Sequence, residues 1–122
     1  MPNINAALGC AQLENLDRYV ADKRETAACY AEFFKGKEDI TFFTEPADCK
    51  SNYWLNAVVL KDKAAQLDFL EYTNDHGVMT RPVWELMNRL PMFEHCETDG
   101  LENTEWLADR VVNIPSSVRL DK

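Results

Sequence analysis

The chain has 122 residues, with 13 Lys and Arg against 21 Asp and Glu, for a formal net charge of −8. That balance argues against a nucleic-acid or anionic-membrane surface, which needs clustered basic side chains. A hydrophobic fraction of 46% is too high for a disordered chain, and the length suits one domain that buries roughly two-thirds of its unfolded surface.

Met1-Pro2-Asn3-Ile4 has no basic leader followed by an apolar run, and no stretch of 18 apolar residues occurs. The expectation is a cytoplasmic protein that neither crosses nor coats a membrane. Cys10, Cys29, Cys49 and Cys96 are widely spaced, without a CxxC pair. They read as reduced thiols, and no metal site is expected from them or from His76 and His95.

The first third reads as helix. Ile4, Leu8 and Ala11 step along one face, and Leu13, Leu16, Val20, Ala27, Tyr30 and Phe34 extend it. Asn3 or Asn5 caps its start and Gly36 its end. A single helix from Asn5 to Lys35 would be about 46 Å long, against a radius of gyration of roughly 14 Å for such a domain. It must therefore break, with Gly9 the weak point, or pack its first turns on something outside the domain.

Ile40–Thr44 and Tyr53–Leu60 read as strands, being β-branched and aromatic. Asp62 caps a helix over Lys63–Asp75, which His76-Gly77 ends. Val78–Thr80 reads as a short strand, because Arg81 precedes Pro82 and is pushed toward extended geometry. Val83–Leu90 reads as a short helix stopped by Pro91. Glu94–Gly100 is a polar loop. Asn103 caps a helix from Thr104 to about Val111, and Ile114-Pro115-Ser116-Ser117 forms a turn-like exit. The expected fold is α/β of the α+β kind: a long amino-terminal helix and a small antiparallel sheet of about three strands, with helices packed on one face. Residues 1–122 are read as one domain.

No phosphate loop or GxSxG elbow is present. The informative stretch is Thr80 to Phe93. Arg81 at a strand end offers a forked cation for phosphate or carboxylate. Trp84 offers a flat face for a ring, and Met87 and Met92 offer adaptable apolar walls. The plainer alternative is a surface arginine beside a core tryptophan.

The stretch Met1 to Leu13 (MPNINAALGCAQL) resembles a signature of the DegT/DnrJ/EryC1/StrS sugar aminotransferases. Matching segments follow in order: Asp17–Arg24 with Tyr30, Ser51–Trp54, His76–Val78, Thr80–Pro82, Leu90–Phe93 and Ile114–Ser117. The resemblance is strongest to members that make 4-amino sugars of the perosamine or legionaminic type. It implies a pyridoxal-phosphate enzyme that moves nitrogen from an amino acid to a nucleotide-linked 4-keto-sugar. It also implies that only the family's carboxy-terminal domain is covered. The Schiff-base lysine would lie in a large amino-terminal domain, and Lys23, Lys35, Lys37, Lys50, Lys61 and Lys63 do not match it.

On that resemblance, the chain carries no catalytic residue and holds no cofactor by itself. Arg81, Trp84 and His76 would face the substrate, here a nucleotide-sugar. Asn3, Ile4, Asn5, Leu8 and Ala11 would meet a partner subunit or the large domain. The expectation is a detached or truncated domain, inactive alone and homo-oligomeric through its amino-terminal helix. The alternatives are a stand-alone self-associating or ligand-binding module, or an orphan gene remnant without retained activity.

Overall fold

A computed structural model describes residues 2–119. The amino-terminal helical region divides into α1 (Asn3–Glu14) and α2 (Leu16–Phe34). The division falls at Asn15 rather than at Gly9, which lies within α1. Asn15 is a local competitor for the backbone: its Nδ2 donates to the Ala11 carbonyl at 2.9 Å. No residue of α1 is buried.

Strands β1 (Ile40–Phe42), β2 (Asn56–Leu60), β3 (Arg81–Pro82) and β4 (Val111–Ile114) form an antiparallel sheet in the order β1-β2-β4-β3. The sheet thus has four strands, one more than the pattern suggested. The additional strand, β4, lies between β2 and β3. Val111 belongs to it rather than to the preceding helix, which is α4 (Glu102–Ala108). Register sets Val58 opposite both Phe42 and Val112, and Asn56 opposite Ile114. Side chains alternate across a strand, so these residues share one face. Ala27, Phe42, Val58, Leu60, Val112 and Ile114 form the core there. Tyr30 and Phe34 of α2 cover it, with Phe69 and Leu70 of α3 (Lys63–Asp75). Helices α2 and α3 therefore lie on one face, as expected. Thr41, Ala57, Val59 and Asn113 point to the other.

Asp62 caps α3 by accepting from the Ala65 N–H at 2.8 Å, and Gly77 follows it with φ +75°. Val78–Thr80 is not a strand. These residues close the helix end, where the Val78 N–H bonds the Thr73 carbonyl and the buried Thr80 hydroxyl meets Thr73 Oγ1 at 2.6 Å. Pairing begins one residue later, at Arg81. Pro82 is tolerated because β3 is an edge strand.

Val83–Leu90 is helical only in a single 3₁₀ turn, Met87–Arg89. Trp84 is exposed, so the segment has no apolar stripe to bury, and packing of such a stripe is what stabilises a short helix. Asn103 lies inside α4. The capping position is Leu101, in a left-handed conformation with φ 55°.

One polar side chain stitches the layers together. Gln66 is fully buried, and its Nε2 donates to the carbonyls of Ala108 (2.9 Å) and Val111 (2.8 Å). It therefore ties α3 to the turn between α4 and β4. Gln66→Leu keeps the bulk but leaves both carbonyls without that donor. It is expected to lower unfolding stability by about 1–3 kcal/mol. Urea denaturation checks this; an unchanged midpoint would contradict the role.

Candidate functional site

The end of β4, the entry to β2, the start of β3 and one turn of α2 enclose an open cleft of about 560 Å³. Arg81 and Trp84 both line it. Arg81 sits opposite Asn113 in the β3–β4 register. Its guanidinium donates to no oxygen among the described residues, its hydrogen bond being a weak one to Met79 Sδ at 3.6 Å. The Trp84 indole is 78% exposed. The arginine–tryptophan pair expected from sequence is thus brought together.

His76 does not line the cleft. It caps the C-terminus of α3, with its ring stacked on Tyr72 at 4.1 Å between centroids. Its Nδ1 lies 2.7 Å from the Tyr72 carbonyl oxygen.

Two cleft residues were not singled out from sequence. Trp54, 66% exposed, forms another aromatic wall. Lys23 lines the cleft from α2, with Nζ donating to the carbonyl oxygens of Trp54 and Ser116. Sequence pattern gave no signal for Lys23, because these bonds join segments far apart in the chain. Ser116 closes the cleft's base: its hydroxyl accepts from the Asn56 N–H and donates to the Ile114 carbonyl, both at 2.7 Å.

The loop that carries Trp54 is anchored by an ion pair. Arg24 engages Glu45 through both nitrogens, at 2.7 and 3.0 Å, and also donates to the Ser51 carbonyl. Glu45 accepts from the Ser51 N–H as well. The Arg24 pair, together with the Ser51 bond, lowers the Glu45 pKa from 4.5 to about 2.

The described lining of this cleft lacks the groups that would hold pyridoxal phosphate as a resident cofactor. Lys23 is the one lysine lining it among the described residues, and its amine is held between two main-chain carbonyls. Among the described residues, no carboxylate lines the cleft to meet a pyridine nitrogen. Cys10, Cys29, Cys49 and Cys96 are exposed free thiols. No three metal-ligating side chains converge among the described residues, and none of the described helices is long and apolar enough to cross a membrane.

Asn3, Ile4, Asn5, Leu8 and Ala11 are all exposed on α1. Ile4 is 78% exposed and Leu8 is 63% exposed.

Residues 1–122 match the DegT/DnrJ/EryC1/StrS aminotransferase family. The chain belongs to that family. It is 29% identical over 120 residues to EpsN of Bacillus subtilis, covering 95% of this chain and 31% of that protein. It is 28% identical over 118 residues to the GDP-perosamine synthase of Escherichia coli O157:H7, again covering 95% and 31%. The fold also matches PseC of Helicobacter pylori, an aminotransferase involved in the biosynthesis of pseudoaminic acid. The TM-score is 0.86 at 20% identity, over 97% of this chain and 33% of that one. The chain thus spans about a third of the length of these relatives.

A carboxylate whose pKa is lowered on folding adds stability above its unfolded value and loses it as pH falls toward the folded value. Glu45→Gln is therefore expected to flatten the acid limb of stability between about pH 4.5 and pH 2. Thermal melts across that range check this, and parallel acid limbs for the two proteins would contradict it.

Proposed function

We propose that this chain is the carboxy-terminal, substrate-side part of an aminotransferase acting on a nucleotide-linked 4-keto-sugar. The observation that carries the reading is the cleft itself: an arginine fork with no carboxylate partner among the described residues and two exposed tryptophans line it together, in a chain of net charge −8. A fork of that kind suits a diphosphate, and an indole suits a nucleobase. Arg81 holds the phosphate charge, Trp84 offers a ring face, and Asn113 adds an amide from β4, opposite Arg81 in the register. His76 is left out of the substrate contacts in this reading, since Tyr72 engages both its ring and its Nδ1.

These residues bind and orient; they do not transaminate on their own. Nitrogen transfer needs the cofactor lysine and its surroundings, which this reading assigns to the remainder of the enzyme. Four free thiols suit a cytoplasmic setting. The exposed Ile4 and Leu8 suit coverage by protein, either a partner subunit or the remaining domain.

Binding of GDP, followed by equilibrium dialysis, tests the cleft. Arg81→Ala is expected to weaken it roughly 10- to 100-fold, the scale of hydrogen bonds to a charged group. Equal affinity would overturn the assignment. The same chain incubated with pyridoxal phosphate and borohydride is expected to yield no saturable adduct on a single lysine, and such an adduct would show that it holds the cofactor unaided.

Left with only these 122 residues, α1 is expected to drive self-association. Sedimentation velocity should show association rising with concentration, and Leu8→Glu should suppress it. A strict monomer at high concentration would argue against this use of the helix.

A further inference from the structure

The position of one cleft wall is set from outside the cleft. Tyr53 has φ 46°, in the left-handed region that bulky side chains rarely adopt. The turn carries Tyr53 into the core, stacked on Phe42 with ring centroids 6.5 Å apart, while Trp54 lines the cleft. Neighbouring bonds over-determine this turn. The Tyr53 N–H donates to Ser51 Oγ at 3.0 Å, and the Trp54 N–H donates to Asn52 Oδ1 at 3.0 Å. The Glu45 N–H donates to the Tyr53 hydroxyl at 3.2 Å.

Arg24 locks the arrangement from α2. It grips the Glu45 carboxylate and the Ser51 carbonyl, and its guanidinium lies 5.6 Å from the Tyr53 ring centroid. The adjacent Lys23 holds the Trp54 carbonyl at 3.4 Å. Strain maintained by so many partners is typical of a pre-organised binding site. A largely exposed indole adds little to the core, so this investment of bonds does not serve burial of Trp54.

We propose that Trp54 is a ring-stacking wall of the cleft and that Arg24 is the positioning residue that presents it. The inference rests on the nucleotide reading of the same cleft and deepens it: Arg81 takes the diphosphate and Trp54 takes the base. Stacking on an aromatic face is tolerant of base identity. Trp54 therefore supplies affinity for a nucleobase without selecting the sugar. Arg24 touches no ligand; it acts through Glu45, Ser51 and the turn at Tyr53.

The test is calorimetric titration of the full chain with GDP and, separately, with inorganic pyrophosphate, which has no ring. Trp54→Leu is expected to weaken GDP roughly 5- to 100-fold, with pyrophosphate changed less than about twofold. Trp54→Phe should restore most of the GDP affinity. Arg24→Gln should weaken GDP selectively, and adding it to Trp54→Leu should cost no more, because its effect passes through that ring.

Wild-type GDP affinity in Trp54→Leu, with Arg81→Ala still weakened, overturns the wall and leaves the nucleotide reading standing. No GDP binding by the wild-type chain overturns both. Equal losses of GDP and pyrophosphate in Arg24→Gln overturn its positioning role and mark it as a structural residue. Trp54 is exposed, so its variants retain the core and decide the matter even where Arg24→Gln does not fold.

Discussion

Strand β2 pairs with β4 through the middle of the sheet, and the strands outside them and the helices that cover them take their places from that ladder. Val58 and Val112 face each other at the centre of the sheet, both fully buried, and every other core residue packs around them. The pairing is non-local, so its closure entropy must be met by burial and by main-chain bonds formed together. Its functional consequence lies at one end of the ladder. There the residues before β2 meet those after β4, and the Asn56 N–H bonds Ser116 Oγ. Pairing of β3 with the outer edge of β4 then adds Arg81. The cleft is therefore a product of strand register: a slip of one residue would send Arg81 and Asn113 to the core face.

Helix α2 fastens this end from the other side. Along it, Asp22 accepts from the Arg119 main chain and guanidinium, Lys23 holds Ser116, and Tyr30 donates to the Pro115 carbonyl. Arg24 adds the loop before β2. A single helix thus bears both on the core and on the two segments that flank the cleft. Exposed ion pairs contribute little to stability, but a bidentate pair fixes geometry. That is the use made of Arg24 and Glu45. Electrostatics here serves shape more than energy, which suits a cleft whose aromatic walls are exposed rather than packed.

Features of this fold set by near neighbours are legible in the sequence, and those set by distant segments are not. Asp62 announces α3 and Gly77 ends it, because a cap and a left-handed glycine act within a few residues. The Ile40 and Val58 runs reveal strands through β-branching. β4 was hidden because Val111-Val112-Asn113-Ile114 directly follows the Trp106-Leu107 helix and is cut short by Pro115. Periodicity alone cannot separate so short an apolar run from a helix end. That Arg81 and Trp84 line one cleft was legible because Pro82 sets the local backbone and the two residues lie three apart in one segment. Trp54 was not. It stands within an apolar run that reads as strand, and only the left-handed turn at Tyr53 directs it outward. His76 fell within a segment resembling the family, yet its geometry is decided by the neighbouring Tyr72.

In the proposed function, Arg81, Trp54 and Trp84 act as one nucleotide-binding cleft. The most direct measurement is a two-dimensional ¹⁵N NMR titration that follows the three indole N–H signals as GDP is added. Trp106 serves as the internal control, since it lies beneath Arg110 at 4.6 Å and does not line the cleft. The Trp54 and Trp84 signals are expected to shift together along one binding curve, with the Arg81 side-chain signal, while Trp106 stays in place. Shifts at Trp106 with Trp54 and Trp84 unmoved would contradict that reading.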